Sequence, residues 1–430
     1  MLARLVLSAL LGCLLLALGA GSASAAVRYA APGAGGAEPC NPAPCAIVKA
    51  VNGAAAGDRV IVAPGQYLVG ADLQIDAAVD VGGEPGKAPP SLGLADATVR
   101  VADPNAVLHD VSLFMTQPAM AFTLSLEGGT VERIRSEGDQ GAGACIVQRG
   151  LLRDALCFDD LFVHPAESGL AHVTLRNVTA VPLMIGAGFG SRLELDAANV
   201  IAYSPDDVNK DLEVNVSSGA SMVATFAHAN FATVGTTLSA GTEYTYTAPG
   251  TGTNQTSRPR FVDAAAGDFR PAADSPTIDA GLPDGLIGSL ALGGEPRSLP
   301  SCIGGAPVPD IGAYEFVPTV ECPKPSNAIR LGKLRRRPAK GTALLTVAVP
   351  GPGTLSLAGK GLRVRKPRPV GGPGKPALLI AAKGRWKRVL DRRGAVKVRA
   401  RITFLPTGGE PRTLTRQIRL LKAPPKSPPR

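Results

Sequence analysis

Two groups of acidic residues are dense enough along the chain to do acid and base chemistry. They are Asp159 with Asp160, and Asp206, Asp207 and Asp211 with Lys210. A lyase that acts on uronates needs clustered carboxylates to hold calcium and a basic group to remove a proton beside the substrate carboxylate. A glycoside hydrolase needs two or three acids that divide the acid and base roles. Calcium, under the lyase chemistry, is the only cofactor that these residues suggest.

The surroundings of these acids favour a structural role. The acids lie beside turn-forming residues, where carboxylates commonly bond to backbone, and no diagnostic basic motif accompanies them. The histidines His109, His164, His172 and His228 are far apart and lack metal-ligand spacing. We therefore expect no catalytic site, no metal and no cofactor, and we keep a polysaccharide lyase or glycosidase as the alternative.

The first 25 residues have the order of a cleavable signal peptide. Arg4 precedes an apolar run from Leu5 to Ala20, and a small-residue A-S-A site ends at Ala25. The run is shorter than the roughly 20 residues that cross a bilayer, and no basic stop-transfer cluster follows it. We expect cleavage after Ala25, secretion, and no transmembrane segment in the mature protein.

Removal of the signal peptide takes Cys13 and leaves an even number of cysteines in an oxidising compartment, where pairing is the default. Their spacing suggests the local pairs Cys40 with Cys45, Cys145 with Cys157, and Cys302 with Cys322. Zinc is the rival interpretation, but the sequence has no paired C-x₂-C motif and its histidines do not cluster with the cysteines.

Between residues 100 and 235 a short pattern recurs, in which a polar residue stands between apolar or small ones. The polar positions 110, 133, 154, 177 and 199 are separated by 23, 21, 23 and 22 residues, and the last copy, Asn230, follows 31 residues later. A fixed period in this range marks a solenoid. Leucine-rich repeats share the period but need leucines at fixed offsets, which these units lack.

The composition of each unit decides which solenoid it is. The segments alternate with period two and show no amphipathic helical face. At about 3.3 Å per strand residue, one unit suffices for three short strands and three turns, which is one coil of a parallel β-helix. Glycine and proline number 51 and 38 of 430 residues and aromatic residues make up only 4%, so we expect many turns and a thin, repetitive core.

The open end of such a stack needs a cap. Residues 45–51 have the spacing of a short helix and precede GDRVIVAPGQY at 57–67. This order resembles the start of secreted right-handed parallel β-helix proteins of the pectate-lyase-like superfamily. Farther on, GDFR at 267–270, SPTIDAG at 275–281 and PDIGAYE at 309–315 resemble the end of bacterial surface proteins that carry a choice-of-anchor domain. The resemblance covers about residues 27–316 and implies architecture and location, with no assured activity.

Charge divides the chain into two modules. From Glu321 to the end there are 28 basic against three acidic residues, a net charge of +25, whereas residues 26–320 carry 16 against 32, a net −16. Apolar and polar residues alternate in the basic part, as in an antiparallel β-sandwich. We expect a signal peptide over 1–25, a capped β-helix with a choice-of-anchor-like end over 26–320, a linker over 321–337, a basic sandwich over 338–423 and a disordered tail over 424–430.

The cationic face of the basic module has two interpretations. It could bind an anionic polymer through Coulomb attraction and counterion release, or it could serve solubility in a genome that favours arginine codons. The charge exceeds what solubility needs. Nucleic acid is disfavoured as a partner, because Trp386 is the only tryptophan and no stacking aromatics interleave with the charges. The candidate polyanion-binding residues are Lys397, Arg399, Arg401, Arg416 and Arg419.

The leading functional hypothesis is therefore a secreted, surface-associated, non-catalytic binding or adhesion protein. Its partners would be extracellular glycans or cell-wall polymers, with the basic module holding it on anionic surfaces.

Overall fold

The computed structural model describes residues 25–117, 122–138, 144–166, 168–205 and 209–424. Apart from its last residue, the predicted signal peptide lies outside these ranges, as do residues 425–430. The chain divides into two compact units between Glu321 and Cys322. In the part of the chain that is described, no helix has both the length and the apolar character needed to cross a membrane.

The first unit is a parallel β-solenoid with three faces, which confirms the fold predicted from the repeat. The first face stacks β1 (Val27–Ala30), β2 (Arg59–Val62), β5 (Asp80–Gly83), the opening residues of β8 (Val107–Met115), β10 (Thr130–Glu137), β12 (Gly150–Val163), β13 (Gly169–Ala187) and β14 (Ser191–Ala202), then β16 (Ser221–Ala227) and β18 (Glu243–Tyr246). The second face stacks β3 (Gln66–Val69), β6 (Ser91–Leu94) and the later residues of β8, β10, β12, β13 and β14. The third face stacks β4 (Leu73–Ile75), β7 (Val99–Val101), β9 (Leu124–Leu126), β11 (Cys145–Val147), the last residues of β12 and β13, β15 (Leu212–Val216) and β17 (Val234–Leu238).

The coils pair in the register that the polar repeat predicts. On the first face, one column runs through Val107, Thr130, Leu151, Thr174 and Asp196. The steps between these residues equal those of the repeat, so each repeat is one coil. Side chains that point inward are mostly Val, Leu, Ile and Ala, and they form one continuous buried cluster along the solenoid. The core is thin because a coil of three short strands leaves little interior volume.

The repeated polar position is the corner between the first and second faces. There the backbone is left-handed at Asp110, Arg133, Asp154, Asn177, Asn199 and His228. Asp, Asn and His adopt this conformation more readily than most residues, which explains the polar bias. The prediction of Asn230 for the last corner is wrong: Asn230 pairs with Ile201 on the second face, two residues past the corner.

A short helix caps the amino-terminal end, as predicted. Helix α1 (Ile47–Asn52) buries Ile47, Ala50 and Val51 against the first coil. The buried Arg28 donates from Nε to Ala50 O at 2.9 Å and from Nη2 to Lys49 O at 3.2 Å, so it satisfies carbonyls at the helix end. Its guanidinium also pairs with Glu38 at 2.6 Å.

The cysteines of the first unit are oxidised. Disulfides join Cys40 to Cys45, beside the cap, and Cys145 to Cys157, inside the solenoid. Cys302 and Cys322 are also disulfide-bonded. All six cysteines of the described ranges are therefore disulfide-bonded, which rules out the zinc interpretation for them.

After the last coil, the chain returns along the solenoid as a strap, here defined as residues 261–316. It contains β19 (Phe261–Asp263), a 3₁₀ turn (Ala264–Ala266) and β20 (Asp268–Pro271), which pairs with β19. Phe269, Ile311 and Ala313 of the strap pack on outward-facing residues of the second face, which are Leu156, Val181 and Ile201. The strap therefore covers apolar surface that the solenoid alone would expose.

The second unit contains two antiparallel sheets. The first sheet has the order β21 (Arg330–Arg337), β22 (Thr342–Ala348), β25 (Ala377–Ala381), and the second the order β24 (Arg368–Val370), β23 (Gly353–Ala358), β26 (Ala395–Pro406), β27 (Arg412–Leu421). Leu345 and Ile380 of the first sheet share one buried cluster with Leu357, Ile402 and Phe404 of the second. The two sheets thus enclose a common core.

Two features of this unit differ from the prediction. Part of the predicted 321–337 linker is strand β21, which pairs with β22 on the edge of the first sheet. Helix α2 (Arg385–Arg393) was not predicted, because its apolar stripe consists only of Trp386, Val389 and Leu390 among many cations. A 3₁₀ turn at Pro338–Lys340 connects β21 to β22.

The corner asparagines offer a test of the stacking. Asn199 donates from Nδ2 to Asn177 Oδ1 at 2.8 Å and to Leu282 O at 2.9 Å, and accepts from Leu282 N at 2.6 Å. We expect Asn199→Ala to lower the free energy of unfolding by about 2–4 kcal/mol, because it leaves buried partners unsatisfied and puts alanine in a left-handed turn. Chemical denaturation measures this change. Asn215→Ala, on an exposed strand position, is the matched control; equal effects of both variants would contradict the ladder.

Candidate functional site

A charged network lies on the first face near its amino-terminal end. His109 sits between two carboxylates, with Nε2 2.9 Å from Asp80 Oδ1 and Nδ1 2.6 Å from Asp110 Oδ2. Arg133 donates from Nε to Asp110 Oδ1 at 2.7 Å and also bonds to Glu132. Stacking brings these residues together: Gly82 pairs with His109, and a Cβ at Gly82 would lie 2.1 Å from the His109 ring. The glycine therefore makes room for the imidazole.

The network fixes its own protonation states. Burial alone would lower the pKa of His109, but hydrogen bonds to Asp110 and Asp80 raise it to about 9. Burial would raise the pKa of Asp110, yet bonds from His109 and Arg133 lower it to about 2. The hydrogen bond from His109 likewise lowers the pKa of Asp80. With these shifts, His109, Asp110 and Asp80 are all charged at neutral pH, and their contacts are ion pairs that stabilise the folded state.

A second network joins the corner ladder to the strap. Arg297 of the strap forms an ion pair with Asp154, its Nη2 lying 2.8 Å from Oδ1, and donates from Nη1 to Glu315 Oε1 at 3.1 Å; its side chain is 2% exposed. Asn177 donates to the same Asp154 oxygen at 3.0 Å and accepts from Asn199. The ladder is thus sealed beneath the strap and closed to substrate.

Hydrogen bonds within the strap stabilise the segment that covers the corner ladder. Asp310 accepts from Asp279 N at 2.7 Å and from Phe316 N at 2.6 Å, and Glu315 accepts from Asp310 N at 2.8 Å. Burial raises the pKa of Asp310, and the nearby Glu315 adds to that rise. Asp310 and Glu315 belong to the PDIGAYE segment at 309–315, but the sequence near them carries no signal that this segment packs against the ladder.

The carboxylates singled out from the sequence do not form a cluster in the described residues. Asp159 and Asp160 have left-handed backbone at the corner between the second and third faces, and burial raises the pKa of Asp160. Asp211 accepts from the backbone N–H groups of Ser204, Ala232 and Thr233, each at 2.9 Å, so its carboxylate shapes a turn. Asp206 and Asp207 lie outside the described residues.

Register shows how far apart these corners lie. Asp160 and Asp211 directly precede Leu161 and Leu212, and Leu183 stands between those two in the stack. They are therefore two coils apart, about 10 Å at the usual strand spacing. Lys210 lines a small cavity near Asp211 with a volume of about 270 Å³. Over the described ranges, no three His, Cys, Asp or Glu side chains come together as metal ligands would.

A set of exposed cations without acidic partners among the described residues lies on the second sheet of the second unit. Lys397, Arg399 and Arg401 alternate along β26 and are exposed, and Lys397 stands directly opposite Arg419 of β27. Within the described residues none of the four forms an ion pair. We call these four residues the basic sheet face. Gln417, Thr415, Thr413 and Thr403 continue it with neutral polar groups.

Arg416 does not belong to this face. It pairs with the fully buried Ala400, so it projects to the other side of the sheet, where it donates to Gly332 O at 2.8 Å. Alternation along the strand separates it from Arg419, three residues later.

Comparisons with known proteins give little beyond the fold. No family model matches the chain, and no curated protein matches it. Among solved structures, the chain is similar to the crystal structure of pectate lyase Pel9A, with 12% sequence identity and a TM-score of 0.29, over 69% of this chain and 97% of that one.

The His109 network makes stability depend on pH. Because the pKa of His109 is raised from 6.5 to about 9 on folding, its contribution is complete below pH 6.5 and is lost as pH rises to about 9. We expect His109→Gln to lower the free energy of unfolding on the order of 3 kcal/mol at pH 6, with the difference from wild type vanishing above pH 9. Denaturation at a series of pH values measures this difference.

His172→Gln is the control for this prediction, since His172 is 66% exposed and contacts only Glu194, at 3.1 Å. A penalty for His109→Gln that does not change between pH 6 and pH 9.5 would show that His109 is not charged in the folded protein.

Proposed function

We propose that this chain is a secreted, non-catalytic attachment protein whose basic sheet face binds anionic extracellular polymers, such as acidic glycans or cell-wall polyanions. The observation that carries the proposal is the set of four cations on one sheet face with no acidic partner. Like charges directly opposite each other on neighbouring strands are destabilising. Lys397 opposite Arg419 therefore costs stability in the free protein, and a bound polyanion would relieve that cost.

The geometry suits a repeating ligand. Neighbouring strands lie about 5 Å apart, and successive outward residues of one strand about 7 Å apart. The four cations form a flat, exposed array of those spacings, with hydroxyl and amide groups beside it. Arginine guanidinium groups bind carboxylates, sulfates and phosphates through paired hydrogen bonds. A flat array of this kind fits an extended polyanion better than a small molecule.

The solenoid supports a structural role in this proposal. The carboxylates of Asp80, Asp110 and Glu132 are engaged by His109, Arg133 and Arg153, and the corner ladder lies beneath the strap. A lyase or hydrolase needs carboxylates that reach the substrate, and these are committed elsewhere. Disulfide bonds fit an oxidising, extracellular location.

Charge reversal tests the attachment site. We expect the double variant Lys397→Glu/Arg399→Glu to bind polygalacturonate or polyphosphate at least about tenfold more weakly in 0.1 M salt, with a shallower dependence of affinity on salt concentration. The control, Lys333→Glu/Lys340→Glu, makes the same change in net charge at exposed positions off the face. Equal losses in both double variants would mean that net charge, not the basic sheet face, governs binding.

Absence of turnover tests the non-catalytic part. We expect no unsaturated uronate and no new reducing ends when the mature protein is incubated with acidic and neutral polysaccharides, with and without calcium. Ultraviolet absorbance and a reducing-sugar assay report the two products. Turnover that disappears in Asp160→Ala or Asp211→Ala would establish the lyase or hydrolase alternative instead.

A further inference from the structure

The second unit contains a groove that is separate from the basic sheet face. It has a volume of about 780 Å³ and lies between residues 363–369 and β25. Buried leucines of both sheets, Leu357 and Leu378 among them, line its floor. Four exposed cations stand at its rim, which are Arg363, Arg365, Lys366 and Arg368. No acidic residue lines it.

One wall of the groove is a free strand edge. Strand β25 is paired on one side only, with β22. The hydrogen bond from Val347 N to Pro376 O places the even-numbered residues of this segment toward β22. Leu379 therefore directs its backbone N–H and C=O away from β22 and along the groove. In the described part of the chain, neither group has a hydrogen-bond partner.

The edge is free because a neighbouring segment starts to pair with β25 and then turns away. Arg363 N donates to Ala381 O at 2.9 Å, and Lys383 N to Gly361 O at 2.7 Å. From Val364 onward the backbone diverges, and the next contact is the Arg368 side chain, whose Nη1 donates to Ala377 O at 2.9 Å. The position that a paired strand would occupy beside Leu379 is thus left open between two occupied ones.

Packing holds that divergence in place. Gly361 has a φ of +83°, and a Cβ there would lie 2.0 Å from the Trp386 ring. Trp386 belongs to α2, so the helix fixes the point at which the segment leaves the sheet edge. The groove is therefore a preformed feature of the unit, which lowers the cost of binding.

We propose that this groove binds an extended acidic peptide segment by strand addition to β25. The free N–H and C=O of Leu379 match peptide backbone groups, the leucine floor accepts apolar side chains, and the rim cations pair with acidic ones. Alternation along an extended peptide presents both kinds of side chain at once. A glycan or phosphate polymer matches the charge of the rim but lacks the alternating backbone donors and acceptors that the strand edge requires.

This inference is independent of the attachment proposed above, because it uses other residues. The test measures binding of a short peptide of alternating glutamate and valine to the full chain, with a lysine and valine peptide as the sign control and polygalacturonate as the competing class. Leu379→Pro removes one edge donor, at a position whose N–H does not serve the sheet. Arg365→Glu/Lys366→Glu reverses the rim, and Lys333→Glu/Lys340→Glu, at exposed positions off both the groove and the basic sheet face, is the control for net charge.

The expected result is that Leu379→Pro and the rim variant each weaken binding of the acidic peptide about tenfold or more, while the control keeps it within about twofold. Leu379→Pro should bind polygalacturonate as the wild type does and keep the wild-type midpoint of chemical denaturation, and both measurements report that this variant is folded. Three results would overturn the proposal: no peptide binding to the wild type, peptide binding unchanged by Leu379→Pro, or equal losses in the rim variant and the control. None of these results decides whether the basic sheet face binds polyanions, because the charge-reversal experiment at Lys397 and Arg399 tests that separately.

Discussion

The sharp turn that the coils from Asp110 onward make between their first and second faces is the constraint on which this part of the solenoid depends. The turn places one residue per coil in left-handed backbone, from Asp110 to His228. Left-handed backbone raises the conformational energy of residues that have a Cβ, and short polar residues such as Asn and Asp tolerate it best. Since the same turn recurs directly above itself, the polar side chains stack and must bond to one another. Asn199, Asn177 and Asp154 form such a chain of bonds inside the protein.

The strap follows from that constraint. A stacked corner that carries a buried carboxylate needs a counter-charge, and Arg297 of the strap is the cation that forms an ion pair with Asp154. Buried ion pairs add little net stability, but removing one partner leaves an uncompensated charge and costs several kcal/mol. Arg297 therefore determines where the strap docks, because its guanidinium must contact both Asp154 and Glu315. Any other placement of the strap would leave a buried charge without a partner.

The sequence predicts those parts of the fold that local chemistry determines. The corner residues repeat because of their backbone conformation, so their period reveals the coils and hence the solenoid, and the cap helix follows from apolar spacing over residues 45–51. The sequence also indicates the direction of the Arg416 side chain. Arg416 is an even number of residues away from the inward-facing Leu414, Ile418 and Leu420, so it lies on the same side of the strand as they do. By contrast, Asp154 and Arg297 are far apart in the chain, and nothing near either residue encodes their contact. The sequence places the last corner at Asn230, whereas the structure has it at His228. That coil is longer than the others, so the period of the repeat does not locate its corner.

The two units differ in whether their acidic and basic side chains form ion pairs with each other. In the solenoid, acidic and basic side chains are neighbours in the stack. Asp80, Asp110 and Glu132 each form an ion pair with one of these cations, and the pairs stabilise the fold. In the second unit, only Asp391 and Glu410 face 28 Lys and Arg residues, and Asp391 is already held by Lys387 and Lys422. Two carboxylates cannot neutralise so many cations, so the second unit keeps a large net positive charge. Because repulsion between exposed charges is screened by salt while buried pairs are screened much less, ionic strength should act more on this repulsion than on the buried ion pair between Asp154 and Arg297.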